Sequence, residues 1–79
     1  MNAKLEAVIA QELEFHGVEL LDALSRWNTS ALRRCRRSIA LRCRDELGMS
    51  YPEIGRILGG RHHTTIMSML KRLGWQRNE

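Results

Sequence analysis

The sequence predicts a small all-α domain that contains a helix-turn-helix. Apolar residues recur at spacings of three and four along most of the chain, and no convincing strand alternation occurs. A chain of 79 residues, 43% of them hydrophobic, has room for one domain with a modest core. The pair Gly59-Gly60 separates two short helical patterns, and a glycine-bearing turn between two helices is typical of this motif.

Residues 1–24 carry two short apolar patterns, which we interpret as an acidic helical pair. The first predicts an amphipathic helix that ends near His16-Gly17, and the second predicts a shorter helix up to Leu24. The apolar positions are Leu5, Val8, Ile9, Leu13, Val18, Leu20, Leu21 and Leu24. One basic residue stands against five acidic residues in this segment.

A long basic helix is predicted over residues 31–48. The polar segment from Ser25 to Ser30 is expected to be a loop before it, and Gly48 is expected to end it. Its apolar stripe consists of Leu32, Cys35, Ile39, Cys43 and Leu47. Its other faces carry Arg33, Arg34, Arg36, Arg37, Arg42 and Arg44.

The helix-turn-helix is predicted over residues 50–73, and a tail of residues 74–79 follows it. Ser50 and Glu53 have the spacing of a capping box, and Pro52 lies in the first turn, where its missing N–H costs little. The second helix is expected to start near His62. Its expected core residues are Ile66, Met69, Leu70 and Leu73. The N-terminal residues of such a second helix usually enter the major groove of DNA.

The charge distribution divides the chain into an acidic and a basic part. Residues 25–79 hold twelve basic residues, eleven of them arginine, against four acidic residues. Arginine suits phosphate groups and base edges better than lysine does. We therefore expect the basic part to face a polyanion and residues 1–24 to face away from it. The alternative is an ordinary solvated charged surface.

Other classes of function find little support in the sequence. Cys35 and Cys43 would lie about 12 Å apart on one helix, too far for a disulfide, so we expect two buried thiols in a reducing compartment. The sequence has no zinc-type cysteine spacing and no phosphate-binding glycine loop, so no metal, cofactor or enzymatic activity is expected. It also has no membrane-spanning apolar run and no signal-peptide layout, which predicts a cytoplasmic protein, associated with the nucleoid or, if phage-encoded, in the host cytoplasm.

The run P-E-I-G-R-I-L-G-G-R-H-H-T-T-I closely resembles the signature of the C-terminal DNA-binding domain of the bacterial replication initiator DnaA, whose usual form is P-E-I-G-x-x-F-G-G-R-D-H-[ST]-T-V. The likeness extends upstream through R-R-S-I-A-L-R-C-R-D-E-L-G-M-S and, more loosely, to F-H-G-V-E-L-L-D-A-L. It implies a fold of the DnaA C-terminal domain type and double-stranded DNA as the partner. One departure is His62, which stands where the family usually has Asp.

The resemblance implies base reading by the start of the second helix, at His63, Thr64 and Thr65, joined by His62. An imidazole can donate a hydrogen bond, whereas a carboxylate only accepts, so we expect the preferred site to differ under His62. The expected contacts to the DNA backbone are Arg36, Arg44 and Arg61, with Arg33, Arg34 and Arg37 nearby and Tyr51 and Pro52 flanking the groove.

Two of these roles are open. Arg61 has an alternative role, in which it bonds the end of the preceding helix. The family places an arginine from the loop into the minor groove, and the aligned position here is about Asn28. That role therefore either moves to Arg26, Arg33 or Arg34, or is absent.

These features together predict sequence-specific binding of double-stranded DNA at sites like the DnaA box, with a role in replication initiation or its regulation. The chain is expected to be either a standalone protein or a piece of a longer initiator. The alternative is a transcription regulator or a protein-interaction module that keeps the fold with weak DNA binding. In the second case the acidic helices of residues 1–24 would contact a partner protein.

Overall fold

The chain folds as five helices in this computed structural model, which describes residues 2–74. The helices are α1 (Ala3–His16), α2 (Leu20–Leu24), α3 (Ser30–Leu47), α4 (Tyr51–Ile57) and α5 (His63–Arg72). Residues 2–74 contain no strand, so the prediction of an all-α fold is confirmed. Of the predicted tail, residues 75–79 lie outside the described part. Within that part, no helix is both long and apolar enough to cross a membrane.

Local signals set the ends of the longest helix. The Thr29 hydroxyl accepts a hydrogen bond from the Leu32 N–H at 3.2 Å, which caps the start of α3. Gly48 ends α3 in the left-handed region with φ +61°, a conformation that a residue with a side chain rarely adopts. The expected end of this helix at Gly48 is therefore confirmed, whereas the helix begins at Ser30, which was expected to close the loop.

The core lies where α1, α3, α4 and α5 meet. α3 contributes Cys35, Ile39 and Cys43, each no more than 1% exposed. The other helices and the turn contribute Leu5, Val8, Ile54, Leu58, Ile66 and Leu70. Both cysteines are free thiols, and burial raises the pKa of Cys43 to about 11, which keeps it protonated at neutral pH.

One expected core residue lies outside the core. Leu73 is 44% exposed, whereas Ile66 and Leu70 are buried and Met69 packs at the core edge. The reason is that α5 ends at Arg72, so Leu73 is its C-cap and the chain leaves the helix there. The apolar spacing of three and four in the sequence therefore extends one residue beyond the end of α5.

The helix-turn-helix consists of α4, a glycine turn and α5. The capping box is confirmed, since the Ser50 hydroxyl accepts from the Glu53 N–H and the Glu53 carboxylate accepts from the Ser50 N–H. Gly59 has φ +86°, and a Cβ at this position would lie 2.2 Å from the Leu24 carbonyl oxygen. Only glycine therefore lets the turn lie directly on the end of α2.

Arg36 joins α2 to α3 and is the one charged side chain that the described residues bury, at 3% exposed. Its Nε donates to the Ala23 carbonyl at 2.7 Å, and its Nη2 donates to the carbonyls of Asp22 and Ser25, both at 3.0 Å. Carbonyls at a helix C-terminus carry partial negative charge and lack partners within the helix. Arg36 therefore closes the end of the five-residue α2.

Arg61 ties the turn to the same place. Its Nη2 donates to the Ser25 carbonyl at 2.7 Å, and its Nη1 donates to the Leu58 carbonyl at the end of α4. The Ser25 carbonyl thus accepts from both guanidinium groups. Burial, and secondarily the nearby charge of Arg61, lower the pKa of Arg36, and burial lowers the pKa of Arg61 as well.

Replacing Arg36 is expected to destabilise the whole domain. Arg36→Ala removes three hydrogen bonds to carbonyls and leaves the end of α2 without these partners, so the free energy of unfolding should fall by about 2–4 kcal/mol. Urea unfolding followed by circular dichroism measures this loss. Arg34 is exposed on the same helix, and Arg34→Ala should change stability by less than about 0.5 kcal/mol. Equal small losses in the two variants would contradict the structural role of Arg36.

Candidate nucleic-acid interface

The start of α5 presents a row of exposed polar side chains. His62, His63, Thr64 and Thr65 are all exposed, while Ile66 directly after them is fully buried. The buried face anchors α5 against the core. Consequently the four polar residues are held at the surface by a rigid helix and not by a loop.

His62 is the N-cap of α5. Its backbone is extended, with φ −66° and ψ 145°, and its Nδ1 accepts a hydrogen bond from the Thr64 N–H at 3.3 Å. The same nitrogen lies 2.8 Å from the Thr64 hydroxyl oxygen. The rings of His62 and His63 are in contact, with centroids 4.3 Å apart and a 33° angle between their planes. These contacts hold the ring of His62 in one orientation.

An arginine-lined groove lies beside this row. One wall is a face of α5 formed by Thr65, Ser68, Met69 and Arg72, and the other wall comes from α3 and the loop before it. The second set consists of Arg26, Asn28, Arg33, Arg36 and Arg37, and Arg61 from the turn before α5 completes the lining. Among residues 2–74 no acidic side chain lines the groove, so no carboxylate there offsets the positive potential of its six guanidinium groups. We call it the arginine groove.

Three residues of the arginine groove bear on the minor-groove role that the resemblance left open. Asn28 and the two arginines Arg26 and Arg33 all line the groove, whereas Arg34 does not. Arg33 is held over the loop, since it donates to the Asn28 carbonyl at 3.1 Å and to the Ser30 hydroxyl at 3.3 Å. Arg26 is exposed and lies beside them. The structure thus places Asn28, which aligns with the minor-groove arginine of the family, in the same groove as Arg26 and Arg33, two of the three arginines that could take this role.

Arg36 and Arg61 depart from the roles expected of them. The guanidinium of Arg36 is buried and occupied by three carbonyls, so its expected phosphate contact is corrected to a structural role. Arg61 bonds the end of α4, which is its alternative role, and is half-buried. Both still line the arginine groove and add to its potential.

Arg44, Tyr51 and Pro52 lie together at the junction of α3 and α4, away from the arginine groove. Arg44 donates to the Met49 carbonyl at 2.9 Å, and its guanidinium lies 4.5 Å from the centroid of the Tyr51 ring. Pro52 is exposed in the first turn of α4. Arg44, beside Tyr51 and Pro52, therefore provides a second basic site on the surface. This site is separate from the groove that Arg33 and Arg37 line.

Sequence reasoning missed Ser68 and Arg72 as site residues. Their signal was present, since Thr65, Ser68 and Arg72 recur at spacings of three and four and mark one face of α5. The pattern of the core obscured it, because Met69 belongs both to the edge of the core and to the wall of the groove.

Arg42 shows that not every arginine of α3 serves the positive face. It bonds Glu12 of α1 at 3.1 Å and Glu46 at 2.7 Å, which joins α1 to α3. Its hydrogen bond lowers the pKa of the Glu46 carboxyl. Glu12 of the acidic first helix thus neutralises an arginine outside the arginine groove. It does not reduce the positive charge of the groove itself.

The helix-turn-helix seen in the structure is also the feature that this chain shares with known proteins. Residues 5–73 match the protein family described as bacterial dnaA protein helix-turn-helix. Relatives described as chromosomal replication initiator protein DnaA include those of Dechloromonas aromatica, Leptothrix cholodnii and Ruegeria pomeroyi. The first is 29% identical over 70 residues, the second 27% over 66 and the third 30% over 69.

The match spans most of this chain and a small part of each relative. The aligned residues make up 89%, 84% and 87% of the chain but 15%, 13% and 15% of the three relatives. No solved structure matches the chain. The family match covers all five helices, from the first buried residue of α1 to the C-cap of α5. The chain therefore belongs to the helix-turn-helix family of the bacterial DnaA protein.

Proposed function

We propose that this protein binds double-stranded DNA at sites like the DnaA box, with sequence preference. In this proposal α5 enters the major groove and its first residues, from His62 to Thr65, contact base edges. The observation that carries the proposal is the row of four exposed polar side chains at the start of a helix whose other face is buried. The major groove, about 12 Å wide, admits a helix presented in this way.

The arginine groove supplies the contacts to the phosphate backbone. Arg26, Arg33 and Arg72 are exposed along it, and Arg37 is half-buried between them. Contacts of this kind set the position of a protein on DNA and give most of its non-specific affinity. Arg44 and the start of α4 provide a second contact point on the backbone.

The biological setting is the replication of bacterial DNA, in the cytoplasm that holds it. The relatives carry the name of the replication initiator, but this chain spans about one seventh of their length or less. It acts either as the DNA-binding part of a longer initiator or as a separate regulator that occupies initiator-like sites. A transcription regulator that uses the same helix-turn-helix is the nearest alternative.

A protein-interaction module is a second candidate, favoured by one observation. Phe15 and Leu21 are each 81% exposed in the acidic segment of α1 and α2. These two apolar side chains are the groups that a partner protein would cover. In this candidate the fold is retained and DNA binding is weak.

A binding selection from random duplex DNA tests the proposal. Salt at about 150 mM suppresses binding by charge alone. We expect enrichment of one short box related to the DnaA box. If no sequence is enriched, the proposal fails and the protein-interaction candidate is favoured.

The salt dependence of binding is expected to be steep. If roughly five to seven phosphates are neutralised, the logarithm of the affinity should fall with the logarithm of salt concentration with a slope of about −5 to −6. Fluorescence anisotropy titrations at several salt concentrations measure the slope. A slope near zero would exclude a backbone contact through the arginine groove.

Base reading and backbone contact should separate in two variants. Thr64→Ala removes a hydroxyl at the start of α5, so it should reduce the preference for the selected box over scrambled DNA. Arg72→Ala removes an exposed guanidinium of the groove, so it should weaken binding to both DNAs by the same factor. Parallel titrations of the two variants on the two DNAs provide the comparison. Uniform losses in both variants would contradict this division of roles.

A further inference from the structure

We infer that His62 presents a hydrogen-bond donor to the DNA, and that it selects a base with a major-groove acceptor, guanine above all. The inference rests on the proposed function, because it requires α5 to lie in the major groove.

The first step is the protonation of the ring. The backbone N–H of Thr64 donates to Nδ1 of His62 at 3.3 Å. An N–H can donate only to a nitrogen that carries a lone pair, so Nδ1 holds no proton. In a neutral imidazole the proton is then on Nε2. The N-cap role of His62 therefore determines its tautomer.

The second step is the direction of the donor. Both side-chain hydrogen bonds of His62 in the described chain use Nδ1, at the end of the ring that faces Thr64. Nε2 lies at the other end of the ring, and the side chain is exposed. Contact with the ring of His63 at 4.3 Å opposes rotation of His62 out of this position. The exposed edge of His62 is therefore a fixed N–H donor.

The third step is the complementary polarity of Thr64. Its hydroxyl oxygen lies 2.8 Å from Nδ1, and since Nδ1 has no proton, the hydroxyl must be the donor in this contact. The lone pairs of Oγ1 then remain for an incoming donor. His62 and Thr64 therefore offer DNA one donor and one acceptor, and the polarity of both is set by the same cap.

The fourth step is the match to base edges. In the major groove guanine offers two acceptors, N7 and O6, whereas cytosine offers only its amino group, which is a donor. A fixed N–H therefore favours guanine and disfavours cytosine on the contacted strand. An acceptor such as Thr64 Oγ1 favours an amino group, from adenine or cytosine. The Asp usual in the family at position 62 only accepts, so the exchange to His reverses the polarity of this contact.

Two variants that cap α5 equally well separate the donor from the cap. Asp and Asn are equally good N-caps, and each accepts the Thr64 N–H through a side-chain oxygen. Only Asn also retains an N–H donor. We expect wild type and His62→Asn to bind guanine in preference to cytosine under position 62, and His62→Asp to shift toward cytosine, by about 5- to 150-fold in relative affinity.

The readout is the affinity ratio between two duplexes that differ at this one base pair, measured for each variant. A ratio cancels the uniform loss that the added negative charge of Asp causes on all DNA. Thr64→Val serves as a second variant, since it should relax the preference for an amino group, while the preference under position 62 keeps its direction because the residue 64 N–H still donates to Nδ1. Thermal unfolding of each variant verifies that α5 remains capped.

Nitrogen NMR of the histidine ring in the free protein tests the first step without DNA. The inference expects the proton of neutral His62 on Nε2, and a proton on Nδ1 would overturn it. If wild type selects a box but all three residues at position 62 prefer the same base, the donor assignment is wrong and DNA binding stands. If wild type selects no box, both the inference and the proposed function fail.

Discussion

The carbonyl oxygen of Ser25 is the point on which the arrangement of this fold depends. It accepts hydrogen bonds from Arg36 of α3 and from Arg61 of the helix-turn-helix turn, at 3.0 and 2.7 Å. Gly59 packs against the neighbouring Leu24 carbonyl, where any side chain would clash. The end of α2, the middle of the basic helix and the turn therefore meet in one place. The position of α5 relative to the arginine groove follows from this junction.

The partners of these two arginines also explain the electrostatics of the surface. Backbone carbonyls satisfy a guanidinium group without cancelling its charge, whereas a carboxylate would neutralise it. Arg36 and Arg61 are bonded to carbonyls and line the arginine groove, so the groove keeps its positive potential. Arg42 is bonded instead to Glu12 and Glu46 and joins α1 to α3. Carbonyl partners thus hold the two arginines at the arginine groove, and carboxylate partners hold the arginine that joins α1 to α3.

The start of α5 combines a structural and a chemical role in one side chain. An N-cap is usually judged by the backbone N–H that it satisfies, and Asp, Asn and Ser serve this purpose alike. In a helix that faces DNA, the atoms of the cap that remain exposed also matter, because they determine which base edge can approach. His62 satisfies the Thr64 N–H with one ring nitrogen and presents the other. In the proposed mode of DNA binding, helix stability and base preference are therefore coupled at this residue.

The sequence by itself determined the helices and most of their ends, because these depend on contacts within a few residues. The capping box at Ser50, the helix end at Gly48 and the turn at Gly59-Gly60 are all local features, and the DnaA signature runs through the same short segment. Only the tertiary structure decided which arginines of α3 face outward. Arg33 and Arg36 lie one turn apart on the same basic helix, yet Arg33 is exposed and Arg36 is buried. The difference arises from the carbonyls of α2, which lie 11–14 residues away in the chain and meet Arg36 only when α2 packs on α3.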